Sequence, residues 1–365
     1  MGLLRIFTRE PAYQQRPLSA WVNDLHSGEP GVHQRALEVL KTMPEALPYL
    51  TRQVSESAWP LQNFMMALAR QVPDRVRRPF REVYDPGRQL LNKHLAAQAL
   101  EAMGTNAQTA VPALGRMLRD PNVLLSSSAG QALAQIGPAA VPVLMQALDD
   151  PDFNVRSSAC AALGRLHTNA APAIPRLCKI LEGETGPIVS SAAYTLSLIR
   201  GPAVPAVIPL LASTNWPTRR WAAFVLANTG PAALPAIPAL TVAASDENTQ
   251  VRWMAVDALG RISLTSRPAA EALLRATRDL EPIVRAAALA GLTNRPRVIR
   301  ENLDLVTPLL ADASPLVRAN AAMALGQTGR HGTNALSMLR QLATETNDLV
   351  RANAQEAMRM INESL

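Results

Sequence analysis

Six side chains between residues 194 and 257 have the types and spacing of a binding surface: Tyr194, Arg220, Trp221, Phe224, Trp253 and Asp257. Aromatic rings supply large apolar contact areas that anchor a partner, and a guanidinium with a carboxylate can fix its orientation. The chain holds 5 Trp, 4 Tyr and 5 Phe in all. Five of these rings fall between Tyr194 and Trp253 when Trp216, expected in a turn, is included. The same rings could instead fill gaps between neighbouring helices, and both readings are open at this stage.

Other chemistry is harder to find. The histidines, His26, His33, His94, His167 and His331, form no H-E-x-x-H pair, and no G-x-x-x-x-G-K-[ST] or G-x-S-x-G run occurs. Cys160 and Cys178 have no metal-ligand spacing and are expected as buried free thiols. No cofactor is expected, and no metal or catalytic residue is assigned.

The elements that must position the six side chains come from a repeat. In Asp150 to Leu166, DPDFNVRSSACAALGRL, Val155 can be taken as position zero; Ala159, Ala162, Leu163 and Leu166 then fall at offsets that share one face of an α-helix. Asn92, Leu125, Val155, Ile188, Thr218, Val251, Val284, Val317 and Val350 recur every 30 or 33 residues, and Val32 and Leu61 extend the frame to eleven such helices, called B. Each is preceded by a helix A, opened by AVPAL at Ala110, AVPVL at Ala140, AIPRL at Ala173 or AIPAL at Ala236. Proline suits that first turn, where its missing N–H would have had no helical partner. Gly104, Gly137, Gly230 and Gly329 stand twelve residues after position zero, where a left-handed residue closes a helix. The TNA triplets at Thr105, Thr168 and Thr333 are expected to cap the next A helix. A second signature is Arg156, Arg219, Arg252, Arg285, Arg318 and Arg351, each directly after position zero. Guanidinium in a fixed position suits a fixed acid or carbonyl. These arginines are therefore expected to form a ladder within the chain, and functional residues to lie near offsets two and six, away from the core.

Period, prolines and the V-R-x-x-A-x-x-A-L-G runs at Val155–Gly164, Val251–Gly260 and Val317–Gly326, with GPAAVPVL at Gly137–Leu144, resemble short HEAT repeats of the phycobilisome-lyase type. The resemblance implies an all-α, right-handed α-solenoid of about eleven stacked antiparallel helix pairs. Residues 1–16 are expected as a tail, 17–104 as degenerate repeats, and 105–365 as regular repeats with a C-terminal cap, continuous with the preceding ones. Asn92 and Thr218 at the apolar position, and Pro296 near a B-helix end, depart from the pattern. In this family the B helices line the concave surface, so the resemblance implies a non-enzymatic scaffold that binds a protein or peptide segment there. Two alternatives remain. Trp253 and Asp257, one helical turn apart, are similar to the aromatic-plus-aspartate arrangement of HEAT-like alkylpurine DNA glycosylases, a nucleic-acid enzyme reading; a bilin lyase subunit or chaperone-like partner follows from the repeat type alone. The H-E motifs of HEAT-like deoxyhypusine hydroxylases are missing.

The net charge of +7 would attract anions, nucleic acid included, but six of the 36 basic residues are the repeated arginines, expected to be satisfied within the chain. The densest basic stretch, Pro73 to Arg88, interleaves Arg75, Arg77, Arg78 and Arg81 with acids and reads as a solvated helix face. No window approaches the roughly 18 apolar residues of a spanning helix, and MGLLRIFTREP is too short a run for a signal peptide. A cytoplasmic location is the expectation, with an anchor or export signal upstream of the chain left open.

Overall fold

The computed structural model describes residues 12–55, 86–262 and 264–365. They form an α-solenoid of antiparallel helix pairs, in two compact units, Met1–Ala173 and Ile174–Leu365. In the N-terminal unit α1 (Leu18–Asp24) pairs with α2 (Pro30–Thr42), α3 (Ala46–Ser55) with α4 (Pro86–Met103), α5 (Val111–Met117) with α6 (Val123–Ile136), and α7 (Val141–Ala147) with α8 (Phe153–Arg165). Helix α3 packs on both α4 and α5, and α2 packs directly on α4. The expected helix at Leu61 and the arginines Arg75, Arg77, Arg78 and Arg81 lie outside the described residues, as do residues 1–11 of the expected tail.

The rest of that tail is structured. Ala12–Tyr13 and Arg16–Pro17 form a hairpin, β1 and β2, joined by Gln14 and Gln15 at positive φ. Several contacts hold it to α1: Arg16 grips Asp24 with two bonds of 2.6 and 2.9 Å, its guanidinium lies 4.6 Å from the Trp21 ring, Trp21 Nε1 donates to the Tyr13 carbonyl at 3.3 Å, and the Tyr13 and Trp21 rings meet edge to face.

In the C-terminal unit the pairs are α9 (Ile174–Gly183) with α10 (Pro187–Ile199), α11 (Val204–Val207) with α12 (Trp216–Thr229), α13 (Ile237–Ala243) with α14 (Thr249–Ile262), and α15 (Arg267–Ala276) with α16 (Pro282–Thr293). The short helices α17 (Pro296–Arg300) and α18 (Leu303–Val306) together face α19 (Pro315–Gly326), and α20 (Leu336–Leu342) faces α21 (Asp348–Glu363). The core is the stripe the repeat predicts: Val251, Ala255, Leu259 and Ile262 of α14 are all buried. The glycine ending the A-L-G run permits close packing. A Cβ on Gly260 would stand 3.0 Å from the Gly291 Cα, and one on Gly326 only 2.7 Å from the Ala357 Cα.

The expected left-handed closures are present at Gly104, Gly137, Gly230 and Gly329, with φ from +55° to +94°. His167 and Arg200 take the same conformation at the same offset, with φ of +50° and +66°. For a side-chain-bearing residue this costs roughly 1–3 kcal/mol. The TNA triplets lie inside 3-10 turns ahead of the A helices; side-chain caps sit at Asn122, Asp152 and Asn347 on B helices and at Ser266 on the A helix Arg267–Ala276. Three positions depart from the pattern. Thr218 is fully buried because its hydroxyl donates to the Leu181 carbonyl at 2.9 Å. Asn92 borders a cavity of about 250 Å³ lined in part by Asn23, His26 and Gln53. Where Pro296 replaces the closing glycine, buried Arg295 donates to the carbonyls of Leu259, at 3.1 Å, and of Gly291, tying the ends of α14 and α16 together.

One expectation fails on composition. The helical run Trp216–Ala243 has 28 residues and a mean hydropathy of 1.4, long and apolar enough to cross a membrane. Gly230, at φ +70°, divides it into α12 and α13, and half of the apolar window is buried within the fold.

The arginine ladder is the main polar tie. Arg219 Nε and Nη2 meet Asp246 at 2.7 and 2.8 Å, while its Nη1 donates to the carbonyls of Ser213 and Thr214. Arg252 with Asp279, Arg285 with Asp312 and Arg318 with Glu345 repeat the arrangement, each acid 27 residues on. Asp246, Asp279 and Asp312 also accept the backbone N–H two residues later, holding their own turn. In the N-terminal unit Lys93 reaches Asp120 at 3.8 Å over the same separation, and Arg119 takes Asp150 at 2.8 Å. Arg156 bonds the carbonyls of Asp150 and Pro151, and Arg351 those of Glu345 and Thr346.

Two tests follow from the ladder. Asp279→Ala strands a largely buried guanidinium and should cost about 3 kcal/mol, whereas Arg252→Met with Asp279→Leu should cost about 1 kcal/mol or less, measured by urea unfolding. Asp312 tests the charge itself. Burial opposes its ionisation, but hydrogen bonds from Arg285 and the Ser314 amide outweigh that and hold its pKa below the ordinary range. The stabilisation is therefore complete above the unfolded carboxylate's pKa and is lost as pH falls through the lower folded value. Urea midpoints of the wild type and Asp312→Asn should differ at neutral pH and converge below about pH 4.

Candidate functional site

The six predicted residues project from three consecutive B helices of the C-terminal unit: Tyr194 from α10, Arg220, Trp221 and Phe224 from α12, and Trp253 and Asp257 from α14. Helix α12 packs between the other two. The structure brings three of the six into direct contact. Trp221 and Phe224 meet edge to face, with centroids 5.3 Å apart and an interplanar angle of 83°. The Arg220 guanidinium carbon lies 4.3 Å from the Trp221 centroid. Spacing explains the trio: residues three apart on a helix share a face, and the neighbouring Arg220 folds back over the ring.

The other three are placed around this trio. Tyr194 is 59% exposed, while Trp253 is half-buried, and among the described residues neither ring stacks on the Trp221–Phe224 pair. Asp257 accepts from Arg261 Nε at 2.9 Å, so its charge is engaged within its own helix. Trp216, expected in a turn, is instead the first residue of α12 and is 43% exposed, because Pro217 sits in the first turn that proline favours. Offset two is not uniformly outward: Ala286 and Ala319 there are buried, since adjacent B helices close over that position. Offset six is the open ridge, carrying Tyr194, Phe224, Asp257 and Ala290.

The electrostatics single out Arg220. Burial alone lowers its pKa, and among the described residues no acceptor is within hydrogen-bonding reach of its guanidinium. Its neighbour Arg219, one residue earlier on the helix, is saturated by Asp246, Glu247 and two carbonyls. Sequence reasoning included Arg220 but gave it no rank above Asp257; the missing signal was whether an acid stands where the side chain points, which requires the fold.

Other chemistry is weak. Cys160 and Cys178 are buried free thiols, and burial, helped by Glu182, pushes the Cys178 thiol up to about 11, far from a neutral-pH nucleophile. Among the described residues no three His, Cys, Asp or Glu side chains gather to hold a metal. In the N-terminal unit an open groove of about 720 Å³ runs over α2 and α4, lined by polar groups such as Gln34, Glu38, Gln98 and Gln135. Glu101, on the same groove, has its pKa raised by burial, with Arg165 opposing.

Sequence comparison now decides the family. The chain matches HEAT repeats over residues 126–197, 204–293 and 270–359, more than half its length. This is a HEAT-repeat protein. The match is to HEAT repeats in general and does not single out the phycobilisome-lyase type. Comparison with curated proteins gives no match. Among solved structures, the HEAT-repeat chain is similar to the karyopherin Kap121p bound to the extreme C-terminus of the protein phosphatase Cdc14p, with TM-score 0.64, 14% identity, and coverage of 97% of this chain and 43% of that one. Kap121p bound to Pho4p gives TM-score 0.63 at 14% identity, with 97% and 42% covered. The chain thus spans less than half the length of these neighbours, and the likeness is one of fold.

Packing and exposure make different predictions for the cluster. Trp221→Ala removes a half-buried ring and its Phe224 contact, and should cost about 2 kcal/mol in urea unfolding. Tyr194→Ala removes an exposed ring and should change stability by less than about 0.5 kcal/mol.

Proposed function

We propose that this HEAT-repeat protein is a non-enzymatic scaffold that holds a protein or peptide segment on the outward B-helix face of its C-terminal unit. The observation that carries this reading is the exposed ring of Tyr194 beside the half-buried Trp221, Phe224 and Trp253 on three adjacent helices. Rings that are open to solvent yet held in place by rigid helices lose little freedom on binding. The equivalent ridge positions of the later units carry no aromatic ring: they are Ala290, Met323 and Glu356. The karyopherin neighbours, similar in fold, were each solved with a protein partner or its terminus bound, which supports the same use of a helical array. The glycosylase-like alternative rests on the spacing of Trp253 and Asp257 alone, and Asp257 is paired with Arg261 on its own helix.

Photo-crosslinking tests the proposal directly. A benzophenone amino acid at Tyr194 should capture a discrete protein in the source cell, and the same probe at Val242, 76% exposed on an A helix, should not. Binding of the captured protein to the purified chain should then weaken about tenfold or more in the double variant Phe224→Ala with Trp253→Ala. Equal capture at both positions, or unchanged binding by the double variant, would return the rings to a packing role.

A further inference from the structure

Arginines of the C-terminal unit that are withdrawn from solvent have acceptors: Arg176 meets Glu184, Arg219, Arg252, Arg285 and Arg318 have their rungs, and Arg295 bonds carbonyls. Arg220 is the exception among the described residues. Its guanidinium is half-buried and desolvated enough to lower its pKa, its one close partner is the Trp221 face at 4.3 Å, and no carboxylate or carbonyl accepts from it. Arginine remains charged under these conditions. A cation so placed costs desolvation that the chain itself does not offset.

We infer that Arg220 is the recognition point for a single carboxylate in the bound segment, an Asp or Glu within a residue or two of an apolar side chain. This rests on the scaffold reading above and specifies the chemistry of its partner. With one guanidinium face covered by Trp221, the free edges present paired N–H groups, the arrangement a coplanar carboxylate accepts with two parallel bonds. Phe224 on the same helix and Trp253 and Tyr194 on the helices to either side would take the neighbouring apolar side chains. The groove is unsuited to a polyanion. Nucleic acid is held by several cations at once, whereas Arg220 is the one cation among the six clustered residues, and Asp257 paired with Arg261 adds no net positive charge beside it.

The test is selection of a random peptide library, about twelve residues long, on the full chain. Selected peptides should carry Asp or Glu next to Phe, Tyr, Trp or Leu. Exchanging that acid for its amide should weaken binding about tenfold or more, and the exchange should have little further effect on Arg220→Met. Arg220→Lys, which keeps the charge but not the fork, should recover only part of the affinity. Urea midpoints establish that each variant is folded. Peptides that depend on Phe224 and Trp253 but tolerate the amide would overturn the carboxylate inference and leave the scaffold reading standing. Peptides indifferent to Arg220, Phe224 and Trp253, or no enrichment at all, would count against both.

Discussion

The ladder of arginines and acids governs how this chain holds together. Each rung joins the guanidinium's own loop, through two carbonyls, to the next repeat, through a carboxylate; Asp246, Asp279 and Asp312 also hold their own turn by accepting the amide two residues on. Removing charges from water is costly, and a rung recovers the cost only because nearly every donor and acceptor is used. No rung can form inside one repeat. The tie therefore appears only when two neighbours are folded side by side, which is the coupling that makes an array of individually unstable pairs cooperative. Small residues complete the arrangement: with glycine at Gly260 and Gly291 the B helices approach closely enough for the same 27-residue reach to serve at each junction.

The ladder also shows where the frame has been altered. Helix α10 has Val189 after position zero, not arginine, and the turn before α12 has Ser213 where the acid would stand. Both halves of a rung are missing together at this junction. The junction is held instead by apolar packing and by Thr218, whose hydroxyl reaches the Leu181 carbonyl. It is at this junction that the rings gather. Tyr194 lies on one side, Trp221 and Phe224 on the other, and Arg220 takes a position beside, not within, the ladder.

Much of this was readable from the sequence, for a physical reason. A helix that repeats every 30 or 33 residues exposes its burial pattern many times over, so chance apolar positions cancel and the stripe from Val155 to Leu166 becomes a template. The arginine's internal role followed from the same repetition, and the structure bears it out. The separation of 27 and the equivalence of Lys93 are not legible in one template: arginine and acid both recur, but a rung pairs the arginine of one repeat with the acid of the next, a contact made through space. Trp216, expected in a turn, begins a helix because the proline after it suits a first turn. For the site, residue types indicated the region but not its wiring. That Asp257 is spent on Arg261, and that Arg220 is not spent on anything among the described residues, depends on side-chain directions that a single period cannot supply.

The altered junction has an energetic consequence that connects architecture to binding. In a quasi-one-dimensional array the stability of each repeat depends chiefly on its two neighbours, so a weak interface is tolerated when strong ones flank it. The α12–α14 junction carries a full rung, with Arg219 bound to Asp246. The α10–α12 junction has none, and it also carries the conformational cost at Arg200 and the desolvation cost at Arg220. Binding surfaces are commonly drawn from the less stable part of a fold, because groups that satisfy one another internally have nothing left to offer a partner. Here the rungs supply the stability that lets one junction do without, and the unspent charge and exposed ring at that junction are what a partner would meet.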